Sequence, residues 1–147
     1  MKLRISVVIV SVILLCQFVP IDRSVSKEEA PLIASEEVTS ILKRSCYDCH
    51  SYQTVWPFYS YVFPISYLIS DHIKEGRSEL NFSNWEKLSL KKKSTAVASI
   101  LEEIEEGEMP IFSYTIIHRG ARLTQTEIEI LKKWAEEIDA KYEEETK

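Results

Sequence analysis

The stretch Cys46-Tyr47-Asp48-Cys49-His50 determines how the rest of this 147-residue chain is interpreted. It spells C-x-x-C-H, the pattern through which c-type haem is attached to protein. Each thiol can bond to one vinyl group of a porphyrin, and the adjacent imidazole can reach the iron. The pattern is specific here because the whole chain has only 3 cysteines and 3 histidines. It predicts one haem c per chain, attached covalently through Cys46 and Cys49, with His50 as an iron ligand.

Other uses of a C-x-x-C pair fit this chain less well. A structural zinc site needs four nitrogen or sulfur ligands, usually in two close pairs, and Cys16, His72 and His118 form no second pair. A redox dithiol belongs to a βαβ setting, but no strand pattern flanks the motif. A disulfide across a two-residue gap would close a very small loop and stabilise little. Haem attachment is therefore the favoured interpretation.

The N-terminus has the pattern of an export signal. Residues 1–4 carry two positive charges, and residues 5–19 are uncharged and almost wholly apolar, as in a signal peptide. The apolar run over residues 5–21 only just reaches the roughly 17 residues that a membrane-spanning helix needs. Residues 1–21 are therefore interpreted as a signal peptide or a membrane anchor. No Ala-x-Ala site follows, so we favour the anchor. Either would place the domain in the bacterial periplasm or on the periplasmic face of the membrane.

The remaining chain divides into a polar tether (residues 22–31), a haem-binding domain (32–142) and a frayed tail (143–147). Apolar periodicity predicts helices over 36–45, 65–74, 91–106 and from Thr124 onward. Gly76 and Gly107 are expected to end the second and third of these, and Ser83 to Glu86 is expected to form a capping box. No strand is predicted. We expect an all-α fold, specifically a class I cytochrome c-like helical domain. The net charge of −5 argues against a nucleic-acid partner.

Two residues near the motif are candidate haem contacts. Trp56 lies in an aromatic loop interrupted by Pro57 and Pro64, and we expect its ring to pack on the porphyrin. Arg77 is a candidate partner for a haem propionate, because guanidinium binds carboxylate bidentately. A solvated surface charge is the plainer interpretation of Arg77.

The sixth iron ligand decides between functions, because a second protein ligand favours electron transfer and an open position favours binding or reaction. Met109 is the preferred candidate, since it precedes a proline in a loop just after a helix end. His118 is the alternative ligand, and His72 is less favoured. We therefore predict a mono-haem cytochrome that carries single electrons and is not an enzyme. The alternative is a haem-based small-gas or redox sensor, or a peroxide-reactive haem protein with an open or labile sixth position.

Charges along the predicted helix 91–106 run against the helix dipole. Lysines crowd its start and glutamates its end, although the dipole favours the reverse. The acidic end, extended by Glu108, would fit a redox partner with a basic docking surface. A solvated helix face is the plainer explanation.

Taken together, these motifs resemble a bacterial family of haem-binding domains, which are small, exported, mono-haem c-type cytochrome-like proteins. The resemblance covers residues 32–140 and implies haem on Cys46 and Cys49, with His50 proximal and Met109 distal. The matching stretches are Cys46-Tyr47-Asp48-Cys49-His50-Ser51, Trp56-Pro57-Phe58-Tyr59-Ser60, Gly76-Arg77, Leu80-Asn81-Phe82-Ser83, Gly107-Glu108-Met109-Pro110 and the closing helix from Leu123 to Trp134.

Overall fold

The computed structural model describes residues 2–24 and 30–147, and within them all regular secondary structure is helical. Three short 3-10 turns, Phe58–Tyr61, Phe82–Lys87 and Arg119–Ala121, lie between the α-helices. The all-α prediction is thus confirmed for the described residues. The α-helices are α1 (Lys2–Cys16), α2 (Glu36–Ser45), α3 (Tyr47–His50), α4 (Ile65–Glu79), α5 (Leu90–Glu105), α6 (Phe112–Ile117) and α7 (Gln125–Glu145).

Helix α1 has 15 residues and ends at Cys16, before the end of the apolar run at Ile21. In the described ranges, 2–24 and 30–147, no helix combines the length and hydropathy needed to cross a membrane.

The core lies where α2, α5 and α7 meet the 3-10 turn Phe82–Lys87. Its aromatic rings form a continuous row from the motif helix to α7, in the order Tyr47, Phe82, Trp85 and Trp134. Successive ring centroids are 5.2, 5.8 and 5.5 Å apart. Tyr47 belongs to the C-x-x-C-H motif, so this row packs α3 directly on the core. The other buried hydrophobic residues around it are Leu32, Val38, Ile41, Leu42, Val97, Leu131, Ala135 and Ile138.

Polar caps set the starts of the principal helices. Ser35 caps α2 by accepting a hydrogen bond from the Val38 backbone N–H at 3.3 Å. Ser89 caps α5 by accepting from the Lys92 backbone N–H. Thr124 and Glu127 form the predicted reciprocal capping box at the start of α7, which satisfies backbone donors that have no partner within the helix.

Two predicted boundaries are wrong. Helix α4 does not end at Gly76 but continues to Glu79, because that glycine serves a close approach of α4 to the motif. The predicted capping box at Ser83 is also absent. Asn81 caps this turn instead, accepting from the Ser83 backbone N–H at 3.0 Å, while the Ser83 hydroxyl accepts from the Tyr52 backbone N–H at 2.9 Å.

Residues at both ends of the predicted tether contact the helical domain. The Arg23 guanidinium donates to the Ser60 carbonyl at 2.8 Å and lies 5.1 Å from the Trp56 ring and 4.4 Å from the Tyr61 ring. At the other end, the Ala30 backbone N–H donates to the Ser83 carbonyl at 2.7 Å. The intervening residues 25–29 lie outside the described part of the chain.

Replacing Leu42 by alanine tests the core. Leu42 is fully buried on α2, so Leu42→Ala should lower the free energy of unfolding by about 2–5 kcal/mol. Ile33→Ala is the control, because Ile33 is 81% exposed and its loss should change stability by less than about 0.5 kcal/mol. Denaturant unfolding measures both, and equal effects would contradict this assignment of the core.

The capping box of α7 should make stability depend on pH. Hydrogen bonds from Arg44 and Thr124 lower the pKa of Glu127 from 4.5 to about 2. Because the pKa is lower in the folded chain, the carboxylate stabilises the fold above pH 4.5, and this contribution disappears as the pH falls to about 2. Glu127→Gln should cost about 1 kcal/mol at pH 7, after allowance for solvent screening. The difference from wild type should vanish at the acid end of unfolding curves, whereas exposed Glu136→Gln should match wild type throughout.

Candidate haem-attachment site

The motif is a short helical turn that continues from α2. The Cys46 backbone N–H closes the last turn of α2 by donating to the Leu42 carbonyl at 2.8 Å. The Cys46 carbonyl then accepts from the backbone N–H groups of Cys49, at 3.2 Å, and His50, at 2.9 Å. Residues three and four positions apart lie on the same side of a helix. This turn therefore places Cys49 and His50 each one helical turn after Cys46.

The His50 imidazole is oriented by two carbonyl oxygens of α4 and its cap. Its Nδ1 lies 2.9 Å from the Gly76 oxygen and 3.2 Å from the Leu80 oxygen. Carbonyl oxygens only accept hydrogen bonds, so Nδ1 must carry the proton and donate. In the neutral imidazole with its proton on Nδ1, Nε2 carries the lone pair. Metal-binding histidines are commonly fixed by such a bond from the opposite ring nitrogen.

Gly76 allows α4 to lie against the motif. A Cβ at this position would be 3.1 Å from the Cys49 carbonyl oxygen and 3.4 Å from Cε1 of His50. Any side chain would push α4 away from the carbonyl and the imidazole that it orients. The glycine that resembled a helix stop is therefore part of the site.

Both motif thiols are unpaired and largely shielded from water. Burial, followed by the charge of Cys49, raises the pKa of Cys46 to about 12. Burial, followed by the charge of Asp48, raises the pKa of Cys49 to about 11. Thiols in such surroundings stay protonated at neutral pH and are poor redox nucleophiles. Within residues 2–24 and 30–147, no group of three or more His, Cys, Asp or Glu side chains could hold a metal ion.

Arg77 fixes the loop that leaves the motif. Its Nε donates to the Ser51 carbonyl at 2.8 Å, and its Nη2 donates to the Thr54 hydroxyl at 2.8 Å. Thr54 in turn donates to the Asp48 carbonyl at 2.7 Å. These contacts are with the chain itself, and the predicted contact of Arg77 with a propionate stays a prediction. The same holds for the contact of Trp56 with the porphyrin, since its half-buried ring lies beside Arg23.

Exposed apolar side chains occur on α1 and just after it and, beyond residue 30, are concentrated in two segments. Apart from Ile33, every exposed large hydrophobic residue that the structure describes beyond residue 30 lies within 55–68 or 109–117. Each segment is linked to the motif by a hydrogen bond to the Asp48 carboxylate, from the Val55 backbone N–H in the first and from the Tyr114 hydroxyl in the second. Concentrated apolar exposure marks binding surfaces, and a porphyrin has two broad apolar faces. The residues are Val55, Phe58, Tyr61, Val62, Ile65, Tyr67, Leu68, Met109, Phe112, Ile116 and Ile117.

Met109 follows the end of α5 and is 37% exposed. Its backbone N–H donates to the Glu103 carbonyl at 3.0 Å, after Gly107 turns the chain with φ of 77°. The side chain borders an open depression of about 330 Å³ that none of residues 46–50 lines. Iron ligation by Met109 stays a prediction.

His118 has polar and aromatic partners. Its Nε2 forms a hydrogen bond with the Tyr59 hydroxyl at 2.5 Å, and its ring stacks on Tyr114 at 4.3 Å. His72 is exposed on α4. The sequence analysis did not identify Asp48, Tyr59 and Tyr114, which are connected through His118 by hydrogen bonds and ring stacking. The one available signal was the position of Asp48 inside the motif.

The residues around the motif fit a covalently held haem: two unpaired thiols, an imidazole with Nε2 available, and exposed apolar segments linked to the motif.

Replacing Gly76 tests the close approach of α4 to the motif. Gly76→Ala should separate α4 from His50 and lower the free energy of unfolding by about 1–3 kcal/mol, as overpacking does. The fraction of purified chains with attached haem, measured by intact mass, should fall as well. Gly120→Ala is the matched control, because no atom lies within 4 Å of its added Cβ. A Gly76→Ala protein as stable and as fully loaded as Gly120→Ala would contradict the close approach.

Comparison with known proteins supports haem binding by this chain. A family model described as a haem-binding domain matches residues 11–137, from within α1 to late in α7. Searches of curated proteins and of solved structures gave no match. The family match covers most of the chain and includes the motif, the oriented histidine and both exposed apolar segments. The chain belongs to the haem-binding domain family.

Proposed function

We propose that this protein is a mono-haem c-type cytochrome that carries single electrons. The haem would be attached through Cys46 and Cys49, with His50 and Met109 as axial ligands. The observation that carries the proposal is the pair of carbonyl oxygens on Nδ1 of His50, because they leave Nε2 available beside two unpaired thiols. A haem bound there would supply one-electron chemistry at its iron.

The chain's own contribution is to hold ligands still. Two backbone acceptors fix the His50 ring, and the Glu103 carbonyl fixes the backbone at Met109. A ligand pair that moves little between oxidation states favours electron transfer over substrate binding. A methionine opposite a histidine also raises the reduction potential. We therefore propose a carrier rather than an enzyme, with a class I cytochrome c-like arrangement.

We also propose export to the periplasm or the periplasmic face of the membrane, where the N-terminal signal or anchor would deliver the domain. The redox partner would present a basic surface to the C-terminal end of α5. Glu105 there forms an ion pair with Lys132 at 3.0 Å, while Glu102, Glu106 and Glu108 are exposed. Complementary charge of this kind speeds encounter between partners at low salt.

A second candidate is a haem-based small-gas or redox sensor, or a peroxide-reactive protein. The exposure of Met109 and the open depression beside it favour this alternative, because a loosely held ligand can be displaced. The alternative predicts ready binding of external ligands by the unmodified protein.

Optical spectra of the purified holoprotein, oxidised and reduced, with and without carbon monoxide, decide between the two. Electron transfer predicts a low-spin spectrum with the weak far-red band of methionine bound to ferric iron. Met109→Leu keeps the side-chain volume but removes the sulfur, so it should abolish this band and allow carbon monoxide to bind. His118→Gln, the comparison variant, should retain the band.

A high-spin wild-type spectrum with ready carbon monoxide binding would contradict the electron-transfer proposal and favour the sensor or peroxide-reactive alternative. A low-spin wild-type spectrum without the methionine band, which becomes high-spin in His118→Gln but not in Met109→Leu, would assign the sixth position to His118.

A further inference from the structure

Two hydrogen bonds connect the segment after Met109 to other parts of the site, one to the motif and one to the aromatic loop. We propose that Tyr114, Asp48, His118 and Tyr59 form a latch that positions the Met109 thioether and so controls access of external ligands to the sixth coordination position. This inference rests on the proposed function. The four residues are positioning residues, since they act through Met109.

The first connection joins α6 to the motif itself. The Tyr114 hydroxyl donates to Oδ2 of Asp48 at 2.7 Å, and Oδ1 of the same carboxylate accepts from the Val55 backbone N–H at 3.0 Å. Asp48 lies between the two cysteines, so its position is fixed by the haem-attachment turn. Hydrogen bonds to a carboxylate are about twice as strong as neutral ones. The carboxylate therefore holds α6 and the aromatic loop to the same point of the motif.

The second connection joins the end of α6 to the aromatic loop. His118 Nε2 is hydrogen-bonded to the Tyr59 hydroxyl, and the His118 ring lies parallel to Tyr114, with an interplanar angle of 15°. The imidazole thereby packs against one latch tyrosine and bonds to the other. Through these two contacts His118 holds the end of α6 against the aromatic loop.

These contacts leave Met109 between two anchored points. On one side, its own backbone N–H is bonded to the Glu103 carbonyl at the end of α5. On the other side, Tyr114 is bonded to Asp48, and Thr115 in the same helix is buried. Releasing Tyr114 would free one end of this short span while α5 and the motif stay in place. Movement of Met109 should then become easier without loss of His50.

The test compares Tyr114→Phe, Met109→Leu and their double variant as holoproteins, by equilibrium titration of the reduced protein with carbon monoxide and by the far-red methionine band. Losing a hydrogen bond to an ionised group should raise the apparent carbon monoxide affinity about tenfold in Tyr114→Phe. Met109→Leu should raise it further, and adding Tyr114→Phe to Met109→Leu should change nothing more, because the latch acts through Met109. Tyr142→Phe removes a hydroxyl on α7 that makes no hydrogen bond among the described residues, and it should match wild type.

Asp48→Asn provides a second test that keeps an acceptor oxygen for Tyr114 but removes the charge, so its carbon monoxide affinity should lie between wild type and Tyr114→Phe. Wild-type affinity in both Tyr114→Phe and Asp48→Asn, with raised affinity in Met109→Leu, would overturn the latch and leave the proposed function standing. An additive effect of Tyr114→Phe on top of Met109→Leu would overturn it too, because it would show action independent of Met109. Unchanged affinity and an unchanged band in Met109→Leu would overturn both the latch and the proposed ligation.

Discussion

The hydrogen bonds from Nδ1 of His50 to α4 and its cap are the contacts on which the rest of the site depends. They require α4 to run past the motif at close range, which only a glycine at position 76 permits. The next residue, Arg77, then reaches the Ser51 carbonyl and the Thr54 hydroxyl. One turn of α4 therefore supplies an acceptor for the imidazole, a bare surface for the Cys49 backbone and a donor for the following loop.

The motif separates two apolar regions of different character. Behind it, Tyr47 stacks on Phe82 and joins the closed core between α2, α5 and α7. Elsewhere around it, residues 55–68 and 109–117 leave large apolar side chains exposed. The closed region gives the motif a rigid base, and the exposed segments provide apolar surface for a bound group.

Local sequence signals predicted much of this structure, and long-range contacts account for most of the rest. The capping box at Thr124 depends on residues three positions apart, so the sequence pattern was sufficient. Gly76 was misread because its contact with His50 spans 26 positions. The Tyr114–Asp48 hydrogen bond spans 66 positions, and no periodicity points to it. Asn81 and Ser83 both have side chains that can cap a helix. Asn81 caps this turn, because the Ser83 hydroxyl accepts instead from the Tyr52 backbone N–H. The haem-attachment role of Cys46, Cys49 and His50 was predicted because the attachment chemistry itself requires their spacing, and that role stays a prediction.

The glycine surface of α4 means that the pentapeptide is not a transferable unit. A C-x-x-C-H sequence grafted onto the end of another helix would carry the thiols and the imidazole but not the carbonyl that orients the ring. A recipient scaffold would also need a second helix with a side-chain-free position facing the graft, at van der Waals distance from the backbone of the second cysteine. Designers who wish to move this site into a smaller protein must therefore transplant a helix pair rather than five residues.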